Sequence, residues 1–115
     1  MEVKGNLWIE GPGGLMLGKG RAALLQKIAA TGSIAEAARL MQLSYRRAWA
    51  MVKAMNEAVE QPLVIKTVGG KKGGGAQLTP AGRELVKSFQ QVQQEFSLFK
   101  TSCSQKISLL EDRHA

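Results

Sequence analysis

The chain has 115 residues, with 16 Lys+Arg against 9 Asp+Glu and a formal net charge of +7. At 44% hydrophobic and 22% charged it has the make-up of one folded domain, too short for two separate cores and too apolar for a disordered chain. One cysteine excludes an internal disulfide, Cys103 with the lone His114 cannot assemble a zinc site, and acid–base side chains are too few and scattered for most enzyme chemistry. A basic binding module without catalytic activity, metal or cofactor is therefore expected. No apolar run approaches the ~20 residues needed to cross a bilayer. The opening Met1-Glu2-Val3-Lys4 lacks the basic-then-apolar profile of a secretory signal. The expected location is the cytoplasm, in association with the nucleoid.

In chain order, Val3 to Glu10 reads as a strand, with Trp8 and Ile9 supplying β-favouring bulk. Gly11-Pro12-Gly13-Gly14 ends it as a turn. A helix is predicted from about Gly20 to Ala30, with Ala23, Leu24, Ile28 and the stem of Lys27 inward. Gly32 suits a left-handed cap at its end. Ser33-Ile34-Ala35-Glu36 fits a capping box opening a short helix to Met41, whose Ala35, Ala37 and Ala38 permit close approach by another helix. Gln42-Leu43 makes a brief turn, and Ser44 is a good N-cap for a helix from Tyr45 to about Val59. That helix sets Ala48, Met51, Val52, Met55 and Val59 on one apolar stripe, with Arg46, Ala50, Lys53 and Glu57 opposite.

Gln61-Pro62 breaks the pattern, and Leu63 to Val68 reads as a strand. Gly69-Gly70-Lys71-Lys72-Gly73-Gly74-Gly75 is a loop, because so many glycines oppose any regular element. Ala76-Gln77-Leu78 is the returning strand, and Thr79-Pro80 caps and starts a long final helix. Along it Leu85, Phe89, Val92, Phe96, Phe99 and Cys103 recur at alternating spacings of 4 and 3. Such a seam fits packing against a second copy of the chain; the alternative is a helix lying on its own domain.

The charge is not spread evenly. Residues 1–32 net +2, residues 33–83 net +5, and residues 84–115 balance. The excess falls on the middle of the chain, where it suggests a surface for a polyanion.

Two glycine patterns invite a nucleotide reading. Gly13 to Gly20 nearly spells a phosphate-binding loop, but Gly20 stands where a Mg²⁺-holding hydroxyl belongs, and Asp112 is the only aspartate. Gly18-Lys19-Gly20-Arg21-Ala22-Ala23 mimics a dinucleotide fingerprint without the repeated βαβ units it needs. A strand-to-helix turn accounts for both.

Residues 33–59 say more. Two short helices joined by a tight turn, the second cationic near its start, form a helix-turn-helix. Its second helix would enter the major groove N-terminus first, bringing Ser44, Tyr45, Arg46 and Arg47 nearest the bases and phosphates. Arg46 points outward and suits bidentate contact with guanine, while Arg47 can read a base or hold a phosphate. Tyr45 and Trp49 lie at the margin of the apolar stripe. Lys71 and Lys72, at the tip of the hairpin, occupy the place of a wing and can reach phosphates or a minor groove. The expected fold is mainly α with a small β hairpin: a winged helix-turn-helix over residues 1–83, and a C-terminal dimerisation helix over 84–115.

Gly32-Ser33-Ile34, Ala37-Ala38, Ser44-Tyr45-Arg46-Arg47-Ala48-Trp49, Met55-Asn56, the run from Gly69 to Ala76, and Leu78-Thr79-Pro80-Ala81-Gly82 together resemble a known domain. It is the N-terminal DNA-binding domain of ModE-type, molybdate-responsive transcription regulators, related to that of LysR-type regulators. The likeness runs from about Leu17 to Leu85. It implies a prokaryotic homodimer on a palindromic operator. The family's molybdate-binding portion and its Ser-Ala-Arg-Asn motif are not found in these residues, so a stand-alone DNA-binding version with no molybdate site is expected. Ser33, Ser44, Tyr45, Arg46, Arg47, Lys53, Lys71 and Lys72 are the expected contacts to double-stranded DNA. A protein–protein adaptor, using the seam on a different partner, is the alternative of another class.

Overall fold

The computed structural model describes residues 1–68 and 75–112. Two short strands, β1 (Ile9–Glu10) and β2 (Met16–Leu17), precede three helices, α1 (Lys19–Thr31), α2 (Ile34–Leu40) and α3 (Tyr45–Glu57). The hairpin strands β3 (Val64–Thr67) and β4 (Gly75–Leu78) follow, and α4 (Pro80–Asp112) ends the fold. This is the expected winged helix with a long C-terminal helix.

The N-terminal strand is shorter than the sequence suggests. Only Ile9 and Glu10 find a ladder partner, pairing antiparallel with Leu17 and Met16. The residues before them run beside α4 instead, where the Val3 N–H donates to Ser104 Oγ at 2.8 Å and Lys100 Nζ to the Gly5 carbonyl at 3.2 Å. β-favouring side chains do not make a strand without a neighbour to complete the backbone hydrogen bonds.

Local hydrogen bonds hold the junction between α1 and α2 and the turn from α2 to α3. Gly32, at φ 71°, closes α1 by donating its N–H to the Ile28 carbonyl at 2.8 Å, as expected of a left-handed cap. Ser33 Oγ accepts the Glu36 N–H at 3.1 Å and starts α2. The other half of the expected capping box is rearranged: the Ser33 N–H donates to Thr31 Oγ1, and the Glu36 carboxylate takes Arg39. Between α2 and α3 the Leu43 N–H donates to the Ala38 carbonyl and the Gln42 N–H to the Arg39 carbonyl. This paired closure places Gln42 in the left-handed region at φ 57°.

The core lies where α1, α2, α3, the hairpin and the first turns of α4 meet. Leu17, Leu24, Leu25, Ile28, Val52 and Met55 are its largest fully buried side chains. Leu25 joins this group, whereas Ala23 is half-buried and Lys27 is exposed, so α1 is rotated slightly from its expected setting. The hairpin adds Val64, Ala76 and Leu78, which its register (Val64 opposite Leu78, Lys66 opposite Ala76) brings to one face.

Helix α4 is seated on this core by its first turns. Thr79 Oγ1 accepts the Gly82 N–H at 3.0 Å and donates to the Pro62 carbonyl at 2.7 Å, so one hydroxyl both caps the helix and fixes the chain entering β3. Val86 and Phe89 are buried and Leu85 is half-buried. Beyond them the helix leaves the domain, giving a molecule 65 Å in its longest dimension and 29 × 20 Å across.

Candidate nucleic-acid interface

The two sides of α3 differ sharply. Ala48, Val52 and Met55 are buried in the core, while Ser44, Tyr45, Arg46, Arg47, Ala50 and Lys53 are exposed. Ser44 Oγ accepts the Arg47 N–H at 3.1 Å, which fixes where the helix begins and hence where the two arginines point. Both guanidinium groups stand clear of the apolar stripe. Lys53 lies about two turns beyond Arg46 on the same side, 4.0 Å from Glu57 in an exposed i,i+4 pair. Solvent screening makes such a pair easy to exchange for a phosphate.

The N-terminus of α3 borders a groove of about 430 Å³ formed with the start of α2 and the hairpin. Ser33, Ala35, Tyr45, Lys66 and Thr67 contribute to its wall. Ala35, expected at a helix–helix contact, is exposed here, because Ile34, Ala37 and Ala38 carry that packing. The hairpin is held at this distance from α2 by the Ala76 N–H, which donates to the Gly32 carbonyl at 2.9 Å. Tyr45 is half exposed at the rim. Trp49 is half-buried, packs against the core, and carries Lys66 Nζ 4.3 Å above its ring.

Of the expected contacts, Ser33 and Tyr45 thus line one groove, and Ser44, Arg46, Arg47 and Lys53 are exposed at the start and along the outer side of α3. Lys71 and Lys72 lie outside the described residues. Lys66, which was not among the expected contacts, lines the same groove as Ser33 and Tyr45, where strand alternation from Val64 puts it on the hairpin's inner face. Arg39 on α2 is the opposite case: its guanidinium is drawn onto Glu36, whose hydrogen bond and charge raise its pKa above the ordinary value.

The near phosphate-binding loop has a different structure. Its central Met16-Leu17 is strand β2, and the side chains of Leu15 and Leu17 are buried. Gly13 sits where a side chain would collide with the Ala58 carbonyl, so glycine there serves packing against the end of α3.

The seam on α4 divides into two parts. Phe89 is committed to the domain's own core at 3% exposure, because the first turns of α4 lie against α1. Phe89 therefore does not present a free face to a second copy. Val92 and Phe99 are 38% and 60% exposed, Phe96 and Cys103 are half-buried, and Leu98, outside the seam, is 65% exposed. Among the described residues no helix is long and apolar enough to cross a membrane.

Comparison with known proteins matches this architecture. Residues 21–83, from α1 to the first turn of α4, fit the family model described as bacterial regulatory helix-turn-helix protein, lysR family. The chain is 42% identical over 96 residues to the molybdenum-pterin-binding protein MopB of Rhodobacter capsulatus, covering 84% of this chain and 36% of that protein. It is 36% identical over 95 residues to the molybdenum transport protein ModE of Azotobacter vinelandii, covering 83% and 35% respectively. With the DNA-binding transcriptional dual regulator ModE of Escherichia coli (strain K12) it shares 41% over 78 residues, covering 65% and 30%. The chain spans little more than a third of the length of the first two of these relatives.

Proposed function

The chain belongs to the bacterial regulatory helix-turn-helix proteins of the lysR family, and on that premise we propose that it is a sequence-specific DNA-binding transcription regulator acting as a homodimer on a palindromic operator. The observation that carries this is the two-sidedness of α3: Ala48, Val52 and Met55 anchor it, and its other side offers Ser44, Tyr45, Arg46, Arg47 and Lys53 to solvent. Only the N-terminal half of such a helix reaches base edges, which gives Arg46 the guanine-reading role and Arg47 a base or phosphate. Lys53, Ser33, Lys71 and Lys72 would hold the backbone on either side. Residues 1–83 would then form the DNA-binding unit, and the outer part of α4, with Val92, Phe96, Phe99 and Cys103, the dimer contact that sets half-site spacing. Such a regulator works at the nucleoid, in the cytoplasm.

Selection of bound sequences from random duplex DNA, followed by titration at several salt concentrations, tests this. The expected result is a two-fold-symmetric site bound with a steep salt dependence. Arg46→Ala should cost ~1–3 kcal/mol at one operator position, whereas Lys71→Ala should weaken all sequences alike. No enrichment, or a flat salt dependence, would overturn the proposal in favour of a protein–protein adaptor.

A further inference from the structure

The contact between the hairpin and the recognition helix α3 carries a consequence for how DNA is held. We infer that Lys66 is a phosphate anchor of the interface and that Trp49 is the residue that positions it. This rests on the DNA-facing reading of α3 above and adds to it a residue that helix periodicity and wing position do not mark.

The register of the hairpin explains why Lys66 is there. Val64 pairs with Leu78 and Lys66 with Ala76, so these four side chains share the inner face of the ribbon. Val64, Leu78 and Ala76 are buried, and Lys66 is the next inward position, where the core has run out. Its ammonium comes to rest 4.3 Å above the Trp49 ring. Trp49 is itself packed against the core, so the platform is fixed.

What distinguishes Lys66 is the kind of partner it has. Arg39 is drawn onto the Glu36 carboxylate and Lys53 lies 4.0 Å from Glu57, so part of each charge is already compensated. An aromatic face attracts a cation without neutralising it. An ammonium seated on one ring also keeps hydrogens directed away from that ring, free to bond an oxyanion. Lys66 therefore offers a full positive charge at a defined place, on the wall of the groove it shares with Tyr45 at the start of α3. A phosphodiester between the strip of DNA read by α3 and the strip reached by the hairpin meets that requirement. Because the side chain is already stacked, less rotamer freedom is lost when the phosphate arrives.

The test compares Lys66→Gln, Lys66→Arg, Trp49→Leu, Trp49→Phe and the Lys66→Gln/Trp49→Leu double variant with wild type. Each is titrated against the selected operator and against unrelated duplex DNA over a salt series, with thermal melting as a folding control. Lys66→Gln should lower the slope of log affinity against log salt by about one and weaken both DNAs by roughly 3-fold, and Lys66→Arg should restore the slope. Trp49→Leu should weaken binding without changing the slope, Trp49→Phe should retain most of the affinity, and Trp49→Leu should cost nothing further in the Lys66→Gln background. An unchanged slope in Lys66→Gln overturns the anchor. An undiminished Trp49→Leu loss in that background overturns the positioning role. Either result leaves the recognition-helix reading standing if Arg46→Ala still relaxes sequence choice; wild-type protein that binds no DNA overturns both.

Discussion

Asn56 and Val64 bond to each other in both directions: Asn56 Nδ2 donates to the Val64 carbonyl at 2.9 Å, and the Val64 N–H donates to Asn56 Oδ1 at 3.2 Å. The same Oδ1 accepts the Leu63 N–H at 2.8 Å. One planar amide in the last turn of α3 thus satisfies the backbone entering β3 and ties α3 to the hairpin. Asparagine suits the position because its side chain both donates and accepts.

Asn56→Ala should therefore lower stability by about 1–3 kcal/mol, since it leaves part-buried backbone groups without partners. Asn56→Asp should recover only part of that, because a carboxylate accepts from Leu63 and Val64 but cannot donate to the Val64 carbonyl. Urea unfolding of the three proteins measures the difference. An Asn56→Asp variant as stable as wild type would count against the donated bond.

Gly82 is the second fixed point. A Cβ there would meet the Leu63 carbonyl carbon and oxygen, and neither the start of α4 nor the entry to β3 can yield easily, since Thr79 ties them together. Alanine normally favours a helix interior, yet Gly82→Ala should destabilise by about 2 kcal/mol. A rise in melting temperature would show that the two segments are free to separate.

Gln42 points the other way. It holds φ 57° in the turn between α2 and α3, a conformation that costs a residue with a Cβ. Gln42→Gly should stabilise the domain by about 0.5–1 kcal/mol, after allowing for the larger entropy of glycine in the unfolded chain. Chemical denaturation reads this directly, and DNA affinity should be unchanged because the helix ends stay where they are.

The divided seam of α4 predicts two distinct outcomes. Phe89→Ala opens a cavity in the core and should cost ~3–5 kcal/mol of stability. Phe99→Glu, at a side chain 60% exposed, should leave the fold of one chain within about 0.5 kcal/mol and, if α4 forms the proposed dimer contact, shift the protein to monomers. Sedimentation at several concentrations checks the association state, and circular dichroism checks the fold. A Phe99→Glu protein that still sediments as a dimer would place the contact elsewhere.

Much of this architecture is written locally. Ser44 before Tyr45, Gly32 after α1, and Thr79-Pro80 before α4 are capping signals that act within a few residues, and each marks its boundary. The stripe of Ala48, Val52 and Met55 likewise follows from the turn of one helix, which is why the outward Arg46 and Lys53 were legible. What was misjudged depends on distant neighbours. The stretch before Ile9 has strand-forming side chains but lies beside α4 through a bond spanning 101 residues. Met16-Leu17 pairs as a strand inside a glycine-rich run that resembles a nucleotide loop, because Ile9 and Glu10 happen to face it.

The sequence by itself thus determined the order of the four helices and the hairpin, the capping roles of Gly32, Ser44 and Thr79, the cationic side of α3 and the concentration of charge on residues 33–83. These depend on helical and strand periodicity and on hydrogen bonds between near neighbours, which a one-dimensional pattern records. Only the tertiary structure decided that Phe89 belongs to the core, that Asn56 clamps the hairpin, and that Lys66 rests on Trp49. Each of those depends on the relative placement of elements, and that placement is set by how the apolar faces of α1, α3, α4 and the hairpin fill one shared volume.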